Sequence, residues 1–160
     1  MSAADAAWNL LRSGAGHHDE AAEIALGLVG DPTASPDDVA KAGTLLLAMH
    51  RYPDAVAARD RALEGGAAPT LLAYLDPSCR LVVDRDERGA RRALATHLAD
   101  APDPLHRDLP GMASDLGAPM LAWRSAGRAG FGVRERFTLT ARAAFRRAPG
   151  AGTGLRGPLL

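Results

Sequence analysis

Apolar positions in this chain recur at intervals of three and four. Val39, Ala42, Gly43, Leu46 and Met49 follow the i, i+3, i+4, i+7, i+10 spacing that gathers them on one face of an α-helix, and no stretch alternates convincingly with a period of two. Ser35-Pro36-Asp37-Asp38 opens that helix. Ser35 can cap it, Pro36 presets φ at the first helical position, and the two carboxylates face the positive end of the dipole. His50-Arg51-Tyr52-Pro53 breaks it, and Ala55, Arg59, Ala62 and Leu63 mark a second helix closed by Gly65-Gly66. Upstream, 4–13, with Trp8 and Leu11 on one side, precedes a stripe of Ala21, Ile24, Ala25 and Leu28 that ends at Gly30-Asp31-Pro32. The pattern predicts two consecutive helical hairpins.

A third hairpin is predicted from 70–83 and 87–99, with Ala90, Ala93, Leu94 and His97 as its stripe and Pro102 closing it. Pro77 is expected to end or kink the first of these helices near Asp76, which would cap a restart. Residues 105–118 read as a connector with at most a short helix over 109–116. The segment 119–148 predicts a basic helical pair, 120–127 and 133–147, docked on the repeats through Val133, Phe137, Ala141, Ala144 and Phe145. Residues 149–160 are expected to form a flexible tail.

Sliding the second hairpin back over the first sets Tyr52 on His18, Asp54 on Glu20, Ala55 on Ala21 and Leu45 on Leu11. A helix–turn–helix unit repeating at about 34 residues resembles the tetratricopeptide-repeat family, over residues 2–69 and more weakly to residue 104. In the second unit Gly43 stands at the family's small position, Tyr52 is the turn aromatic, and Ala55 and Ala62 are the small residues of the second helix. Arg59 replaces the family's large aromatic, Pro69 is a rough counterpart of its closing proline, and the first unit departs further, with Asn9 and His18 at the small and aromatic positions. The resemblance implies an all-α fold of stacked antiparallel hairpins, a right-handed α-solenoid of about six to eight helices, with 1–104 as the repeat domain. It also implies that Leu10, Ser13, Ala40, Thr44 and Leu47 face a partner. These are small or apolar and lack the Lys and Asn cluster that grips a peptide carboxylate, so an apolar or helical ligand is expected.

Composition sharpens this picture in two ways. Of 160 residues 47% are hydrophobic and only 4% aromatic, so the core must be built from small and aliphatic side chains. Charge divides along the chain. Residues 1–120 carry 11 basic and 18 acidic groups, a balance of −7, while 121–160 carry eight arginines against Glu135, a balance of +7. Lys41 is the only lysine among 19 basic residues, a bias expected of GC-rich, bacterial-type coding. The lone Cys79 excludes an intrachain disulfide and a cysteine-based zinc site. Neither a leader-like start nor an apolar run of about 18 residues is seen, so a cytoplasmic protein without membrane contact is expected.

Candidate chemistry is sparse. His17 and His18 are adjacent, so on a helix they point about 100° apart rather than sharing a metal, and they are read as turn residues, with His18 packing between the helices. Cys79 and His97, with Asp84 or Asp86 as orienting acid, match no nucleophile signature. Gly127-Arg128-Ala129-Gly130-Phe131-Gly132 lacks the preceding strand of a phosphate loop and reads as a helix-to-helix turn. Asp84-Arg85-Asp86-Glu87-Arg88 reads as a solvated turn favouring a helix start. The expected function is therefore a non-catalytic interaction module or adaptor for a protein or peptide, with no cofactor and no metal. Two alternatives stand beside it: nucleic-acid binding through Arg136, Arg142, Arg146 and Arg147, and an accessory subunit of a multi-protein enzyme.

Overall fold

The computed structural model describes residues 2–147, with the side chains of Ala15 and Arg147 excepted. The expected tail, 149–160, lies outside the described residues. All regular structure described is helical: α1 (Ala3–Ser13), a 3-10 turn (Ala15–His17), α2 (His18–Gly30), α3 (Pro36–Ala48), α4 (Tyr52–Gly65), α5 (Pro69–Val82), α6 (Glu87–Asp100), α7 (Leu109–Asp115), α8 (Pro119–Arg128) and α9 (Val133–Arg147). That is one α-helix more than the expected range, because the short helix anticipated within the connector is fully formed.

Capping chemistry sets several of the starts. The Ser35 hydroxyl accepts from the Asp38 amide with Pro36 inside the first turn, Ser2 and Asp5 close a reciprocal capping box, and Asp86 accepts from the Gly89 amide to open α6. Gly66 ends α4 in the left-handed region at φ 73°, where a Cβ would be strained.

Consecutive helices pair as α1 with α2, α3 with α4, and α5 with α6, while α3 also touches α1 and α5. This is a stack of antiparallel hairpins. Gly43 permits a close joint: a Cβ there would stand 2.8 Å from Ala58 Cβ on α4 and 2.8 Å from Leu75 Cδ2 on α5. Arg59, in the place of a large aromatic, keeps its side chain only 12% exposed and bridges Asp60 and Asp84. Its aliphatic stem covers the core while its head reaches the carboxylates at the edge.

Two hydrophobic clusters meet along α5. Val39, Leu45, Leu46, Leu72, Leu75 and Cys79 belong to the first, and Ala73, Leu94, Leu98, Leu105, Leu109, Leu116 and Ala143 to the second. The supposed connector therefore supplies part of the core. Each buried leucine there stabilises the fold by about 1.5–3 kcal/mol, enough to hold 105–118 in place. From α7 to α9 the chain forms a three-helix bundle, in which Ser114 Oγ donates to the Leu139 carbonyl at 2.9 Å.

Pro77 does not interrupt α5, which runs unbroken through it with the ring buried. The expected stop at Asp76 is corrected. Burial on both clusters and pairing with α6 outweigh one missing backbone bond, which typically costs about 3 kcal/mol in an unsupported helix. Asp76 is not a cap but a buried side-chain acceptor, bonded to Arg80 Nε at 2.8 Å and His97 Nε2 at 3.0 Å.

Candidate interaction surface

Helix α9 docks with the face opposite to that predicted. Ala143 is fully buried and Leu139 partly so, whereas Val133, Phe137 and Phe145 are 72%, 68% and 77% exposed, and Ala141 and Ala144 are exposed beside them. The expected docking stripe is thus the outer face. Size and polar contacts explain the choice. Ala143 lets the α9 backbone approach closely, the Leu139 carbonyl receives the Ser114 hydroxyl, and the Arg136 guanidinium lies 4.2 Å from the centroid of Trp123. Gly127 makes room for that guanidinium, since a Cβ there would come within 3.2 Å of Arg136 Cζ.

The turn before α9 behaves as the glycine spacing predicts. Gly130 adopts φ 77°, and the Gly132 amide donates to Glu135 Oε2 at 3.0 Å, holding the first turn. Gly127-Arg128-Ala129-Gly130-Phe131-Gly132 joins two helices. Arg128 fixes the exit of α8 by donating to the Leu98 and Ala101 carbonyls at the end of α6 and to Asp103 at 2.7 Å.

Of the four arginines expected to form a basic surface, Arg142 and Arg146 both approach Asp115 Oδ1, at 2.7 and 3.5 Å. Arg136 is stacked and turned inward, with its buried Nε making no hydrogen bond among the described residues. The Arg147 side chain lies outside the described residues. The free array is therefore corrected to two guanidiniums sharing one carboxylate and a third covered by an indole. Arg134 instead stands on the exposed side of α9 with no ion pair among the described residues.

Leu10, Thr44 and Leu47 are half-buried and Ser13 is exposed, but Ala40 is wholly buried in the first cluster and cannot meet a partner directly. Both hydroxyls serve their own helices: Ser13 Oγ donates to the Leu10 carbonyl at 2.7 Å and Thr44 Oγ1 to the Ala40 carbonyl at 3.0 Å. Small residues at these positions favour close packing of α1, α3 and α5 over a recessed groove.

Several titratable side chains are hydrogen-bonded or ion-paired to one another. Asp76, Arg80 and His97 flank a shallow depression of about 340 Å³ with Arg92 and Thr96 on its rim. Burial pushes the Asp76 carboxyl up, yet hydrogen bonds from His97 and Arg80 outweigh it and hold the group below the usual carboxylate range. Cys79 donates to the Ala55 carbonyl at 3.8 Å and burial pushes its thiol up to about 11, while His97 is bonded to Asp76. His17 pairs with Glu20 at 3.5 Å and His50 with the Tyr52 hydroxyl at 2.8 Å. His18 is exposed, not packed between helices, because the 3-10 turn delays the start of α2 and leaves the ring at its outer edge. Among the described residues no three His, Cys, Asp or Glu side chains gather as metal ligands would. Nor is any described helix long and apolar enough to cross a membrane.

The Asp76–His97 pair escaped the sequence reading because the proline rule dominated there. A scan against protein-family models and searches of curated proteins and of solved structures return no match to this chain.

Proposed function

We propose that the chain is a non-catalytic adaptor of tetratricopeptide-like build that holds a protein partner against the outer face of α9. One observation carries the reading. Among the described residues, three of the four exposed large hydrophobic side chains, Val133, Phe137 and Phe145, stand on that single face, the fourth being Met120. Burying one phenylalanine stabilises a fold by about 1.5–3 kcal/mol, so leaving two in water on one helix forgoes a gain that a partner can recover.

Two further features support it. The close joint at Gly43, and the contacts of α3 with both α1 and α5, suit a repeat stack. Asp76, Arg80 and His97 satisfy one another, as residues that hold two helices together do. A buried reduced Cys79 suits the cytoplasm.

A photo-crosslinking residue at position 137 in the native cell tests the proposal, with exposed Ala57 on α4 as control site. The expected result is one dominant protein adduct at 137 and none at 57, with co-purification of that protein lost on Phe137→Asp. Equal adducts at both sites, or co-purification indifferent to Phe137→Asp, would defeat the proposal.

A further inference from the structure

We infer that the occupant of this face is a single amphipathic helix from another protein, with an apolar stripe bordered by carboxylates. The inference rests on the reading of α9 as the partner surface and adds the chemistry of what binds there. Shape is the first argument. Phe137, Ala141, Ala144 and Phe145 follow i, i+4, i+7, i+8, so two exposed aromatic rings bracket two exposed methyl groups along about two turns of helix. A gap between bulky residues at helical spacing accepts the side chains of a helix laid alongside. The geometry also continues the stack, in which each helix already packs against an antiparallel neighbour.

Charge is the second argument. Of the five arginines in 133–147, Arg136 is turned inward against Trp123 and Arg142 and Arg146 share the single carboxylate of Asp115. Arg134 stands on the open side without an ion pair among the described residues, on the same stretch of helix as Phe137. A carboxylate flank on the partner would meet the Arg134 guanidinium.

The same charges disfavour the other occupants. A second copy would set one basic helix against another, which like charges oppose. Residues 148–160 contain Arg156 and no Asp or Glu side chain, a poor match for a basic helix. An anionic bilayer would attract α9 as well, but it would also draw the body, with 18 acidic against 11 basic groups over 1–120, towards like charge.

The test uses the full chain and two synthetic helical peptides of about five turns with the same leucine stripe, one flanked by Glu and one by Lys, titrated by fluorescence anisotropy at physiological salt. The Glu-flanked peptide should bind in the micromolar range, about tenfold or more tighter than the Lys-flanked one. Arg134→Glu should erase or reverse that preference, and Phe137→Asp or Phe145→Asp should abolish binding of both peptides. With both rings largely exposed, either variant should fold, and unchanged far-UV circular dichroism checks it. Equal binding of the two peptides, no saturable binding of either, or binding insensitive to both phenylalanine variants would overturn the inference. Phe137-dependent self-association in sedimentation, or Phe137-dependent binding to phosphatidylserine vesicles, would do so as well. Should the peptides fail while a cellular partner still crosslinks at position 137, the surface stands and only the acidic helix falls.

Discussion

Gly43 decides how closely α3, α4 and α5 can approach. With Ala58 and Leu75 each 2.8 Å from where a Cβ would stand, even alanine forces the neighbours apart, and Gly43→Ala is expected to destabilise by about 1–3 kcal/mol. Gly27, inside α2, has nothing within 4 Å of its Cβ site, so Gly27→Ala should stabilise by about 0.5–1 kcal/mol through helix propensity alone. Urea titration of the two variants checks this, and shifts of the same sign would contradict the packing described. Lys41, the one lysine, binds Asp5 across α3 and α1 at 2.9 Å, and that hydrogen bond together with the Ser2 amide lowers the Asp5 carboxyl to about 2. A carboxyl depressed on folding contributes stability that is full above its unfolded value of 3.8 and lost as pH falls through about 2. Asp76 shifts in the same direction. Stability should therefore decline from about pH 4 downward, and the decline should flatten in an Asp5→Asn, Asp76→Asn double variant. An unchanged acid limb in that variant would show that other carboxylates set it.

Arginines recur at the C-terminal ends of helices. Arg61 donates to the Leu28 and Val29 carbonyls, at 3.2 and 2.6 Å, and to that of Asp31, closing α2, while Arg128 closes α6. Arg91 and Arg146 reach the carbonyls of Leu116 and Asp115 at the end of α7. Those carbonyls lack intrahelical partners and carry the negative end of the dipole, which a planar guanidinium satisfies with several donors at once. Arg128→Lys should therefore destabilise by about 1.5–3 kcal/mol despite keeping the charge. A melting temperature equal to wild type would return this arginine to mere coding bias. Helix existence was legible because caps are local: Ser35-Pro36, Gly65-Gly66 and Asp86-Glu87 stand where helices start and stop. Continuity through Pro77 was not, since it depends on contacts with α6 that no local rule contains. The phase of α9 was not legible either. Its sequence carries two faces that can dock, and the larger apolar one was the wrong choice, because Ala143, Arg136 and the Ser114 hydroxyl favour the smaller.

At the scale of the whole molecule, hairpins on an acidic body end in a basic helix whose bulky apolar side chains face away from that body. The candidate surface was present in the sequence as Val133, Phe137 and Phe145 and as the +7 balance of 121–160, but which way it faced required Trp123 and Asp115 to be brought alongside. The central claim is that this face contributes to binding and not to folding. Equilibrium urea unfolding of a Phe137→Asp, Phe145→Asp double variant tests it most directly. Side chains this exposed should leave the unfolding free energy within about 0.5 kcal/mol of wild type. A loss of about 3 kcal/mol or more, the scale of emptying a buried aromatic site, would mean that the two phenylalanines hold α9 to the body, and the interaction surface would not exist.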